Sequence, residues 1–362
     1  MSASDGQGQV SAATQEELPG ATPRWKKIIP YIVTLLIFAL IFWRIPVSRV
    51  GAALENVPIV KFLCVFLPFS AVYWVVDSAC LTWVVRRFNA PLRLRDIMPI
   101  RASMYLLALI NTNLGQGGVA WYLHRKANIP FLEVLSSILF IALMEVYQLF
   151  LFSTVGIVFY RSGSPGQNEI VEVMRVAYVV AWLLLVVAIV LFARARHSDR
   201  MRAWISTTRF GPIARTFFAA GPRDYASVIA IKAPSFLMSL LTQYLALSLY
   251  GIAIPFVKLM LFLPLVFLAA ALPIGVAHLG TSQAAGLLFF STNAPSAKIL
   301  AYSLAAHFTF MFCNALIGLC FLRRAIRELT ELEATARVEP HITERGAPPL
   351  SNGCSERAGR DA

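Results

Sequence analysis

The chain has 362 residues, of which 58% are hydrophobic and only 14% charged. That balance excludes an ordinary soluble domain and describes a polytopic membrane protein. A net charge of +13 would suit nucleic acid, but the arginines sit in short loops between apolar runs, where they set membrane orientation instead.

Residues 1–23 are rich in Ser, Gly, Gln and Ala and read as a disordered cytoplasmic tail. A membrane domain is expected over 24–325, followed by a second cytoplasmic tail over 326–362. The first apolar run, 28–44, follows Arg24, Lys26 and Lys27 as a signal peptide would. It ends in Trp43 and Arg44 without a small-residue cleavage pattern, so it reads as a retained anchor. Further runs at 59–85, 131–159, 176–193, 225–250 and 298–322 are each long enough for a hydrocarbon core of roughly 30 Å.

Two other runs are interrupted. The run 99–123 is broken at NTNLGQGG, where Asn113, Gly115, Gly117 and Gly118 stand together. The run 256–290 is broken at LPIGVAHLGTSQAAG, where Pro273 removes a backbone donor and Gly275 and Gly280 permit turns. Hydrocarbon holds no water to satisfy a broken helix, so such breaks survive only against protein or a wet cavity.

Charge decides whether these runs cross. One basic cluster comprises Arg86, Arg87, Arg93, Arg95 and Arg101, and another runs from Arg194 to Arg223. A full crossing by 99–123 would put the two clusters on opposite faces, against the positive-inside bias. With both interrupted runs re-entrant, every cluster falls on the cytoplasmic side. The expected fold is therefore an all-α polytopic membrane protein with about six crossings and two re-entrant helical hairpins. Its halves, about 28–159 and 176–322, then have opposite directions, as in an inverted-topology repeat, which places a binding site near the midplane.

Polar residues inside the crossings mark that site. Glu145 lies near the centre of 131–159, with Gln148 on the same face. An acid at that depth costs about 3 kcal/mol on insertion scales and should face the interior. Its alternatives are a headgroup or proton contact and a structural hydrogen bond between helices. Lys232, Ser235, Ser239 and Gln243 trace one polar stripe along 225–250, the wall of a wet groove, although Lys232 could instead snorkel to the headgroups. Ser303, His307 and Asn314 make a sparser stripe on the last crossing. Asp77, with Tyr73 one turn before it, reads as functional or as the partner of a nearby arginine. His278 and Gln283 flank the second break, where backbone amides could meet a phosphate, or His278 could only cap the broken backbone.

The five cysteines form no metal or redox spacing, and His124, His278 and His307 lie in separate elements. No metal and no cofactor is expected, and no nucleotide-binding motif supports transport driven by ATP.

The segments INTNLGQGGVAWYLHRKANIP and LPIGVAHLGTSQAAG, with Glu145 on the helix between them, resemble the transmembrane flippase-like region of the lysylphosphatidylglycerol synthase family. The likeness spans approximately residues 28 to 325. It implies a lipid-translocating fold with re-entrant elements that moves aminoacylated or other polar lipids between leaflets. The soluble aminoacyl-transfer domain of the full-length synthases is not expected here. The chain departs from the family pattern at Val119, Val146 and Gln283, where charged residues are frequent. A less cationic lipid is therefore expected, of phospho-, glyco-, polyprenyl or hopanoid type.

The leading expectation is a transporter, not an enzyme, in a bacterial inner membrane with both termini cytoplasmic. Its partners would be membrane lipids and cell-envelope biosynthesis proteins, with no nucleic acid. Two other readings stand beside it. One is an intramembrane lipid-modifying enzyme using Glu145 or Asp77 as base and His278 as acid. The other is a non-catalytic partner of a cell-envelope pathway.

Overall fold

A computed structural model describes residues 59–110, 112–160, 165–196, 211–271 and 280–345, with a few single positions between them. The 1–23 tail, almost all of the first expected crossing, and Pro273, Gly275 and His278 lie outside the described residues.

Among the described residues every regular element is a helix: α1 (Ile59–Phe88), α2 (Leu94–Ile110), α3 (Thr112–Ala127), α4 (Phe131–Phe159), α5 (Pro165–Arg196), α6 (Gly211–Ala219), α7 (Pro222–Leu249), α8 (Phe256–Ala271), α9 (Thr281–Phe290) and α10 (Ser296–Arg345). A chain without water must satisfy its own backbone, and helices do so within one segment. Long apolar stretches of α1, α4, α5, α7 and α10 are sufficient to cross a membrane: Ile59–Phe88, Phe131–Phe159, Val171–Arg196, Pro222–Leu249 and Ser296–Glu328. They are the crossings expected from residue 59 onward.

The interrupted runs do not cross. At a rise of about 1.5 Å per residue, α8 and α9 reach only ~24 Å and ~15 Å, and each pair returns to where it began. In the first hairpin, Lys126 near the end of α3 lies 3.6 Å from Asp96 near the start of α2. In the second, Lys258 at the start of α8 bonds Thr292 at 2.9 Å and Asn293 at 2.7 Å, just past α9.

The two hairpins open at opposite ends of α10. The base of the first meets Glu328, which accepts from Tyr122 at 2.8 Å. The second opens beside the start of α10, where Lys298 donates to the Gly251 carbonyl at 3.0 Å. Arginines of the two basic clusters collect at the Glu328 end: Arg87 pairs with Asp224 at 2.9 Å, Arg196 bonds the Ala220 carbonyl at 2.8 Å, and Arg215 pairs with Glu133.

Packing follows the exchange that an inverted repeat requires. The α2 arm lies against α10, the last crossing of the other half, while α8 lies against α4, the last crossing of its opposite half. The second crossings of the halves, α1 and α7, pack on each other. Elements that exchange also share interior prolines, Pro68 and Pro234 in α1 and α7, Pro99 and Pro264 in α2 and α8. Small residues let these backbones approach, since helices in lipid associate through close packing. A Cβ on Gly156 would come within 2.5 Å of the Leu261 Cα, and one on Gly318 within 2.8 Å of the Ala102 carbonyl oxygen.

The expectation about the first break changes, and the one about Gly280 in the second does not. In the first, α2 ends at Ile110 and α3 starts at Thr112, so Gly115, Gly117 and Gly118 lie inside α3, with Asn113 also helical. These glycines do not break the helix. Gly115 and Gly118 bring α3 onto α2, because a Cβ at either would press on Met104. In the second, Gly280 does turn the chain, with φ +91° immediately before α9, a conformation that side chains resist.

Candidate functional site

Where α1, α2, α4 and α7 converge, four charged side chains meet. Asp77 on α1, only 3% exposed, is held from two sides. Arg101 Nε on α2 donates to its Oδ2, and Lys232 Nζ on α7 to its Oδ1 at 2.7 Å. Lys232 also pairs with Glu145 Oε1 on α4 and lies 5.7 Å from the centre of the Tyr73 ring. Arg101 Nη1 also donates to Gln116 Oε1 on α3, at 2.9 Å.

The formal charges of Asp77, Glu145, Arg101 and Lys232 sum to zero. Buried charge is tolerated only when paired and hydrogen-bonded, and here each ion has an opposite neighbour. The two carboxylates are not equivalent. Among the described residues, Asp77 is enclosed with two cations, whereas the Glu145 side chain is 42% exposed and pairs with one.

Glu145 and Lys232 stand at one end of a cavity of about 560 Å³. Gln148, Ser235, Ser239, Gln243 and His307 line it with them, so both the α4 acid and the α7 stripe face one space. The Lys232 amine does not snorkel outward but turns inward to Asp77. The second hairpin contributes Ser282 and Gly286 along with apolar side chains, Ser303 and Tyr302 come from α10, and most of the rest of the wall is apolar, with rings from Phe66, Phe69, Phe236, Phe267 and Phe310. A smaller cavity of about 160 Å³ lies on the far side of Tyr73, His307 and Phe310, and Arg101, Gln116 and Asn314 line it. The Ser303–His307–Asn314 stripe therefore runs from the larger space into the smaller one.

Gln283 is a correction. It is fully buried and does not line the cavity; its Oε1 accepts from the Gly280 N–H at 2.7 Å and caps α9. A helix that starts inside the protein leaves amides without partners, and a glutamine in the first turn satisfies one of them. Gln148, though at the wall, also gives Nε2 to the Ile229 carbonyl at 3.3 Å.

Arg101 is the residue that sequence reasoning misplaced. Counted with the basic loop, it is buried and completes the Asp77 pair. The available signal was its place inside an apolar run, between Pro99 and the Tyr105–Ile110 segment, well beyond the other arginines of its cluster. Asp77 itself follows the simpler of its two readings and partners an arginine.

Among the described residues no group of His, Cys, Asp and Glu is arranged to hold a metal ion.

Among the described residues, five helices long and apolar enough to cross, two short hairpins opening at opposite ends and a charged, half-polar cavity between them define a polytopic, all-helical membrane protein. The model of the lysylphosphatidylglycerol synthase TM region matches residues 27–318, and the chain belongs to that family. No curated protein and no solved structure matches it significantly.

Proposed function

We propose that the protein moves an amphipathic lipid between the leaflets of a bacterial inner membrane, with its basic face and both termini in the cytoplasm. One observation carries the reading: a cavity that combines a partly exposed carboxylate, a polar helix stripe and an aromatic, aliphatic wall. A headgroup could follow Ser235, Ser239 and Gln243 along α7 while the acyl chains stay against the apolar side. The enclosed Asp77 keeps Lys232 and Arg101 neutralised throughout. Glu145, paired among the described residues with Lys232, is the group able to exchange that partner for a headgroup donor or a proton. The smaller cavity beyond Tyr73 and Phe310 extends the polar route.

The test is translocation in proteoliposomes by the purified chain, read with acyl-labelled lipids and a membrane-impermeant quencher. Translocation above protein-free vesicles is expected, with Glu145→Gln at least about ten-fold slower, the equivalent of one charge-assisted hydrogen bond. No acceleration for any lipid headgroup refutes transport by this chain alone. It would leave the chain as a pathway partner.

A further inference from the structure

We infer that the larger cavity is built for a lipid whose headgroup is uncharged and rich in hydroxyls, a sugar or other polyol. The inference rests on the transport reading and narrows its substrate.

Charge is the first ground. Among the described residues, the ionised side chains lining the cavity are Glu145 and Lys232, and they pair with each other. Lys232 gives a second bond to Asp77 and is 3% exposed, so its charge is already matched twice. An anionic headgroup would leave water to compete with two carboxylates for that amine. A cationic headgroup would approach Glu145 with the Lys232 ammonium bound to the same carboxylate. Either would bury a charge without gaining an opposite one, the costly case. A hydroxyl can instead use the second oxygen of Glu145 while Oε1 keeps Lys232.

Hydrogen-bonding capacity is the second ground. Beyond that pair, the lining offers hydroxyls and a carboxamide at several heights: Ser239 and Gln243 on α7, and Ser303 on α10. Tyr302 donates to Gln243 Oε1, which leaves the NH2 end of that amide for a ligand. Neutral groups that both donate and accept suit hydroxyls, and the aromatic wall suits the C–H faces of a ring. The volume of about 560 Å³ lies within the roughly 300–1,000 Å³ usual for ligand pockets.

Binding to the full chain in phosphatidylcholine nanodiscs tests this, sugar detergents being avoided as competitors. The probes are acyl-labelled glucosyl-diacylglycerol, phosphatidylglycerol and lysylphosphatidylglycerol, with free glucose as a competitor. The glucosyl lipid is expected to bind at least about ten-fold more tightly than either charged lipid. Ser239→Ala and Ser303→Ala should each loosen it about five-fold, one neutral hydrogen bond, and leave the charged lipids unmoved. Equal or tighter binding of a charged lipid overturns the inference, as does no binding of any probe or an equal effect of the serines on all three. Competition by free glucose upholds the hydroxyl-rich class but overturns a lipid as its source. Binding without translocation refutes the transport reading and leaves this one standing, whereas translocation of charged lipids alone does the reverse.

Discussion

Replacing Asp77 by asparagine changes a buried set of charges from zero to +1 with almost no change in shape. Arg101 and Lys232 keep lesser partners, Gln116 at 2.9 Å and the partly exposed Glu145. Removing one partner of a buried ionic group costs about 3–5 kcal/mol, and Asp77→Asn should lie near 4. Lys232→Met should cost less, about 2 kcal/mol, because Asp77 keeps Arg101 and Glu145 reaches the cavity. Together the two changes restore a zero sum, so the double variant should cost about 4 kcal/mol instead of about 6, a coupling near 2. The assay is reversible unfolding in mixed micelles, carried around the full double-mutant cycle. Costs that add to within about 0.5 kcal/mol would show that the two residues do not interact, and the neutral cluster would fall with them.

Gly156→Ala should destabilise the protein by about 3 kcal/mol in the same assay, since its methyl would meet the Leu261 backbone, which cannot rotate aside. Gly117→Ala, with nothing within 4 Å of the added carbon, should instead stabilise α3 by about 0.5–1 kcal/mol. With the native cysteines replaced, Lys126→Cys and Asn293→Cys should label from opposite faces of the membrane; labelling from one face would refute hairpins that open at opposite ends. Gln283→Leu should cost about 1–2 kcal/mol through the lost Gly280 cap, with lipid affinity unchanged. A large loss of affinity would return Gln283 to the binding site.

Much of the site was legible because a membrane makes polarity expensive. Glu145 and the Lys232–Ser235–Ser239–Gln243 stripe could be singled out by period and depth alone, and they line a common cavity. Arg101 was not legible, since an arginine near a basic loop has the same local sequence whether it enters water or a buried pair. Gln283 looked like a ligand for the related reason that a capping glutamine and a lining one both follow a broken helix. The glycines of the first break were visible, but their part in pressing α3 onto α2 depends on Met104 lying opposite.

What the sequence determined by itself was the class of fold. Hydrocarbon admits few backbone arrangements, so run lengths, interruptions and the placement of arginine were enough to indicate crossings and two returning hairpins. Tertiary structure alone decided which charges share a partner. Asp77, Arg101, Glu145 and Lys232 come from four different helices, and only the crossing of those helices brings their side chains within bonding distance.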